Sequence, residues 1–506
     1  MTCKINAQPV NTFIKFLTND TLADAASCIA ETPDGNFIIS GTTGGQWALS
    51  CADGWIIKID PLGDTLWTRH AGGTSLDMLG AIIVDSNKYI TVGFKSVFMA
   101  GRQGWLLEYD ANGNKLMDKT YGGAQDDALG DIISTGDGHY LALGQTKSFE
   151  TDSTPDVWFV KLNSVFDTVW TKHYDLGAIT GDSSCSDNGN GIIPFGNNTY
   201  LITANTCKLC DGTDGIAWYT IIDSTGNITG TPYVFRKGPK NVFAGGIRPT
   251  ADGGAIITGA TSMIDSAIFL NFRSEDMWIV KLDSNADTVW TKIYGQYGVY
   301  DGGFSIFQTA DGGYFMSAYS QIGCTPQYDF DNVWLMRLNS VGDTLQVCRW
   351  GGPQNDDLLN IIPSPDGGAI GVGCYNSNSN PLAGPIPGNC DFLIIKTDCN
   401  IITGISDAIS PENSLNIFPN PANDDATINF TLQKSDHVSL VLYDITGKEV
   451  ESITDSFFEK GKHILEIQLN NLLSGNYYLK FQTTSSVQTK MINVQGKRIK
   501  ILTNVW

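Results

Sequence analysis

The hexamer Asp-Thr-Val-Trp-Thr-Lys occurs at Asp167–Lys172 and again at Asp287–Lys292, with a near copy, Asp-Thr-Leu-Trp-Thr-Arg, at Asp64–Arg69. Such a recurrence limits the fold more than composition does, because a chain written in copies of one unit has to stack those units. The copies extend well beyond the hexamer. Asp156–Tyr174 and Asp276–Tyr294 are near duplicates, and a weaker copy beginning at Ile216 lies midway between them, so the period is roughly 60 residues. Aligning the tryptophan of each unit gives Trp55, Trp105, Trp158, Trp218, Trp278 and Trp334, with Phe392 in a seventh place. A second landmark, typified by DGNFIISG, DGHYLALG and DGGAIITG, recurs the same number of times.

Each unit holds four short apolar, β-branched runs with partial period-two alternation, typified by WIIKID, TLWTRH, GAIIV and YITVG. Asp-Gly turn signals separate them. Four antiparallel strands in each of seven units, with no helical pattern, predict a seven-bladed β-propeller. The repeat region opens on TFIKF (Thr12–Phe16), in the register of a second strand, and ends on FLIIKT (Phe392–Thr397), in the register of a first strand. The two ends are therefore expected to complete one shared blade and remove the free edges. A buried tryptophan covers about 150–250 Å², worth at most ~4–6 kcal/mol, so the recurring tryptophans are assigned to the core. Asp-Gly-Gly aspartates and Asp127 are assigned to turn capping, as is Asp110 in DANGNK, which lacks the later glutamate of a calcium loop.

Charge and motifs narrow the function. With 32 basic against 53 acidic residues the net charge is −21, which disfavours a phosphate backbone as partner, so no nucleic acid is expected. No run of 18 apolar residues marks a membrane span. The propeller shows no GxSxG, HExxH or phosphate loop, and the three histidines in it include His70 and His173 at the same repeat position. The expectations are accordingly no enzyme, no cofactor, no metal site and a monomer. Antiparallel parity places the short hairpins on one rim and the long, dissimilar connections on the other. Recognition is usually carried by such loops, and Asp211, Asp214, Tyr328, Asp329 and Asp331 are the candidate ligand residues, for a glycan or protein. The alternative is a secreted polysaccharide-active hydrolase or lyase with paired carboxylates on that rim. Cysteines 185, 207, 210 and 324 lie in these loops, and Cys374 with Cys390 brackets another.

The repeat stops near residue 402. Residues 1–8 read as the remnant of a signal peptide, 9–402 as the propeller, 403–413 as a linker, 414–494 as a second domain and 495–506 as a tail. Six or seven short strands with turns at ITGK, EKGK and LSGN suggest a small immunoglobulin-like β-sandwich. Its motifs FPNPA (Phe418–Ala422), LYDITGKEV (Leu442–Val450), LLSGNYYLKF (Leu472–Phe481) and TKMINV resemble the type A C-terminal sorting domain of the type IX secretion system of Bacteroidetes. The motif residues are Pro419, Asn420, Pro421, Asp444, Gly447, Gly475 and Tyr477. The resemblance implies that the secretion machinery is a partner and that the protein is secreted or attached at the outer-membrane surface. The propeller units resemble the bacterial β-propeller repeats carried as cargo by such domains. The function expected is therefore that of an exported binding or adhesion protein.

Overall fold

The computed structural model describes residues 12–17, 24–44, 52–97, 101–149, 154–176, 186–207, 215–235, 242–261, 275–295, 301–320, 332–350, 356–365, 368–376, 390–397, 415–418, 422, 425–432, 434–443, 448–472, 475–483 and 487–494. Every regular element among them is a strand. The chain divides into two compact units, residues 1–406 and 407–506.

The first unit contains seven antiparallel four-stranded sheets, six of them with strands in sequence order from the axis outwards. The innermost strands are Ala25–Glu31, Asp77–Asp85, Asp127–Thr135, Ser186–Pro194, Val242–Pro249, Asp301–Gln308 and Asp356–Pro363. Each packs against the next, and the seventh against the first, which makes a closed seven-bladed propeller. The closing blade takes its outermost strand from the opposite end of the chain: Phe13–Leu17 runs antiparallel to Cys390–Thr397, with Phe13 opposite Lys396 and Leu17 opposite Phe392. Beside that pairing, Cys374 and Cys390 form a disulfide with a Cα–Cα distance of 5.6 Å.

A blade is covered on both faces, so its third strand reads as a continuous apolar run, and Asp156–Leu162 and Asp276–Leu282 are buried from end to end. The aligned aromatics Trp55, Trp105, Trp158, Trp218, Trp278, Trp334 and Phe392 are all buried in these strands. The hexamer tryptophans differ from the core assignment. Trp67, Trp170 and Trp290 sit on outermost strands and are only half-buried. They lie on the third-to-fourth-strand hairpin of the next blade, against Gly113, Gly226 and Gly342 respectively.

This explains why the hexamer is repeated: it is the clasp between neighbouring blades. Its aspartate receives the lysine of the preceding blade, as in Lys15–Asp64, Lys119–Asp167 (2.8 Å) and Lys292–Asp343 (2.8 Å). Two residues beyond the lysine position, the hydroxyls of Tyr121 and Tyr174 donate to the next hairpin's carbonyls at Phe166 (2.8 Å) and Gly226 (2.9 Å). The hairpin needs a left-handed residue. Gly63, Gly113, Gly226 and Gly342 supply it at φ between 77° and 82°. Phe166 adopts φ 61° in the same place, where its ring is buried and stacks on Tyr140 at 5.1 Å.

The Asp-Gly turns of the innermost hairpins, on the same rim, hold a second repeated pair. Asp34, Asp137 and Asp252 receive the buried lysines Lys58 (2.6 Å), Lys161 (3.2 Å) and Lys281 (2.8 Å), while Asp311 receives Arg337. The second blade reverses the arrangement: a buried Glu108 stands at the lysine position and Lys88 reaches it at 2.9 Å. Partial burial raises the Asp252 carboxyl, but hydrogen bonds from Lys281 and Thr250 outweigh this and hold it at about 2. The Thr309 hydroxyl and Arg337 hold Asp311 at about 2 as well. The aspartates of these turns thus cap them as expected and neutralise a buried cation too.

The second unit is a two-layer β-sandwich. Leu415–Phe418, Asp425–Leu432 and Gly461–Gln468 form one sheet, and Glu449–Phe458, Asp436–Tyr443, Gly475–Gln482 and Val487–Val494 the other. Ile428 and Phe430 from the first meet Leu440, Leu479, Phe481 and Ile492 from the second. Asp436–Tyr443 alternates buried and outward residues along its length, the pattern of a strand with one face in a core.

Two outcomes follow from the buried pairs. Asp252→Ala strands an ammonium that is 5% exposed and is expected to cost about 2 kcal/mol in denaturant titration, more than Lys281→Met, which leaves a carboxylate in water. Unfolded aspartates titrate near ~3.9, so the stability these pairs contribute is complete above that pH. It is lost as pH falls from about 4 towards the folded value of about 2. Thermal midpoints measured across that window should fall, and Lys281→Met should flatten the slope.

Candidate functional site

The first aspartate of an innermost strand recurs at Asp24, Asp77, Asp127, Asp187, Asp301 and Asp356, all buried, with Val242 in the fifth blade. These residues lie at the rim of the long connections. Their backbone N–H groups staple blade to blade: Asp77 to the Ala52 carbonyl, Asp187 to Pro155 and Asp301 to Glu275, each at 2.7 Å. Burial pushes the Asp77 carboxyl up, against donation from the Ser96 N–H. Asp127 accepts from the Gly123 N–H (2.8 Å) and the Ser148 hydroxyl (2.6 Å), so it caps a turn as expected, from a buried position.

A second aspartate opens the third strand of several blades, at Asp53, Asp156 and Asp276. In the first and fifth blades it lies against the glycine that follows the outermost strand. A Cβ added at Gly72 or Gly295 would come within 2.0 Å of Asp53 or Asp276 Oδ1. At Gly122 in the second blade, a Cβ would meet Asp127 Oδ2 at 2.1 Å.

The third blade breaks this rule. The residue after its outermost strand, Thr168–Tyr174, is Asp175. Asp156, Asp175 and Asp187 each direct a carboxylate oxygen into one cluster, all within 4.8 Å of one another. Asp156 and Asp187 are buried and Asp175 is partly open. Donors surround the charge: the Leu176 N–H and the Thr206 hydroxyl reach Asp187, each at 2.5 Å, and Trp218 Nε1 holds that hydroxyl at 2.8 Å. His173 Nδ1 lies 3.3 Å from Asp156 Oδ2. The other face of the imidazole belongs to Phe149, stacked at 5.8 Å and 21°. Three clustered carboxylates are the hard-oxygen donor set a divalent cation takes, and Asp156, Asp175 and Asp187 are the residues that would hold one. Hydrogen-bond donors are the other means of holding the same charge, and here they engage Asp187 and Asp156.

The loop residues named from sequence, Asp211, Asp214, Tyr328, Asp329 and Asp331, lie outside the described residues, as do Pro419, Asn420, Pro421, Asp444 and Gly447. Gly475 opens the strand Gly475–Gln482, and Tyr477 lies in the sandwich core. The carboxylate cluster was missed because two of its members are repeat residues. Its one legible sign is an aspartate at a position that holds Gly72, Gly122, Gly295 and Gly351 in four other blades, Arg236 in the fourth and Thr18 in the closing one.

Residues 416–497 match the family described as a secretion system C-terminal sorting domain. The chain is therefore an exported protein of the Bacteroidetes type, directed to the cell surface. No curated protein matches the sequence. Among solved structures, a mutant puromycin hydrolase aligns over 82% of this chain and 59% of its own, at 9% identity and TM-score 0.43. The α-L-arabinofuranosidase Arb93A of Fusarium graminearum, in complex with an iminosugar inhibitor, aligns over 76% of this chain and 98% of its own, at 11% identity and TM-score 0.39. PorZ, a surface component of the type IX secretion system of Porphyromonas gingivalis, aligns over 93% and 81%, at 10% identity and TM-score 0.18. The expectation of a non-enzymatic chain is corrected by these neighbours, several of which are named as hydrolases or glycosidases.

Asp175→Gly supplies the residue that stands at this place in the first, second and fifth blades and is expected to leave the thermal midpoint unchanged or slightly raised. Asp187→Ala, which orphans the Leu176 N–H and the Thr206 hydroxyl, is expected to cost about 2–3 kcal/mol, read by the same melting curves.

Proposed function

We propose that the propeller is a polysaccharide-active hydrolase displayed at the cell surface, working through the carboxylates where its third and fourth blades meet. The observation that carries this reading is Asp175, a carboxylate outside the repeat, set within 4.8 Å of Asp156 and Asp187 on the rim of long connections. Structural aspartates recur from blade to blade; this one does not.

Glycoside hydrolysis needs one carboxyl to protonate the departing oxygen and one carboxylate to attack the anomeric carbon or activate water. Asp175, the accessible member, is the group that faces the sugar. Asp156, backed by His173, is its partner. Asp187 is held by the Leu176 amide and Thr206 and positions the other two. The separation favours the closer geometry, ~5–5.5 Å, of double displacement over the ~6.5–9.5 Å that leaves room for an attacking water. Binding at this rim, the role expected from sequence, becomes the first step of the reaction.

Reducing-end release from a polysaccharide panel tests the proposal. A substrate should be found, Asp175→Asn should lower kcat by about 10²–10⁴-fold with the melting curve unchanged, and the first product should keep its anomeric configuration. Binding of a glycan without turnover, or turnover indifferent to Asp175→Asn, would overturn it.

A further inference from the structure

Phe149 is a large apolar side chain on the acidic rim and is 41% exposed. It follows the second strand of the third blade, His139–Thr146, and one face of its ring is supported from below. His173 stacks on it at 5.8 Å and 21°, Trp158 approaches at 6.1 Å and 43°, and Asp156 fixes the imidazole through Nδ1. The carboxylate that opens the third strand thus orients the histidine, and the histidine, two residues before Asp175, props the phenyl ring. A rigid aromatic face next to a carboxylate cluster suits the C–H face of a sugar ring, which loses little entropy on stacking there.

Charge sets the class of sugar. In sequence, residues 147–156 and 175–187 carry six acidic residues against Lys147. Among the described residues, Asp156, Asp175 and Asp187 hold their carboxylate oxygens within 4.8 Å of one another, and such a concentration of negative charge repels an anionic polymer. Building on the reading above, we infer that Phe149 is the stacking platform of a sugar subsite for a polysaccharide free of carboxylate and sulfate groups. Hydrolysis then follows as the chemistry, because β-elimination requires the acidified C5 proton of a uronic acid, which such a glycan lacks.

Affinity electrophoresis of the full chain through gels containing neutral polysaccharides or polyuronates reads binding independently of turnover. Neutral glycans should retard the wild type, Phe149→Ala should weaken retardation on the order of 10-fold, and Phe149→Trp should restore it. Asp175→Asn should remain retarded while losing turnover. Retardation by neutral glycans that survives in Phe149→Ala overturns the platform and leaves the hydrolase standing. Retardation by polyuronates alone overturns the substrate class. The absence of both retardation and turnover on every glycan overturns the hydrolase reading itself.

Discussion

A blade of four strands cannot bury its own faces, and everything in this propeller depends on each blade being covered by two neighbours. Closure of the ring supplies that cover without exception. The innermost strand at Asp356–Pro363 meets the one at Ala25–Glu31, and the closing sheet is completed by a strand from the other end of the chain. Around this constraint the sequence places four repeated devices at successive radii: aspartate staples on the innermost strands, Asp–Lys pairs at the inner turns, buried tryptophans on the third strands, and the Asp-Thr-Val-Trp-Thr-Lys clasp at the circumference. The clasp runs through the closing strand as well, since Lys15 there reaches Asp64.

The fold was legible because each device is periodic. Trp158 and Trp278 occupy equivalent places in near-identical segments, and such recurrence reveals a stacked unit even when single strands are too short to assign with certainty. What the repeats join to was not legible. Lys119 and Asp167 stand 48 positions apart, and alignment shows that both recur without showing that one blade hands its lysine to the next. The hexamer tryptophans were assigned to the core for the same reason: period alone does not distinguish a residue inside a blade from one lying across a seam.

The candidate site was legible only by subtraction. Asp156 and Asp187 look like every other seam aspartate, and they are, in staple and burial. Asp175 differs because it stands where the corresponding seams have Gly72, Gly122 and Gly295, positions at which any side chain would collide with a carboxylate. A carboxylate at a place that the first, second and fifth blades keep as glycine marks a local departure of the scaffold from its own pattern. Its neighbours His173 and Phe149 extend the departure from a single atom cluster to a surface.

The strand Phe13–Leu17 finds its partner only in Cys390–Thr397, at the far end of the propeller's sequence. Until that late partner arrives the chain is an unsealed row of blades with two sticky edges, and the disulfide at Cys374 and Cys390 sits beside the final join. Sealing therefore waits on the last strand of the repeat region, and a product clipped before Cys390 would be prone to cross-pair with its siblings instead of closing.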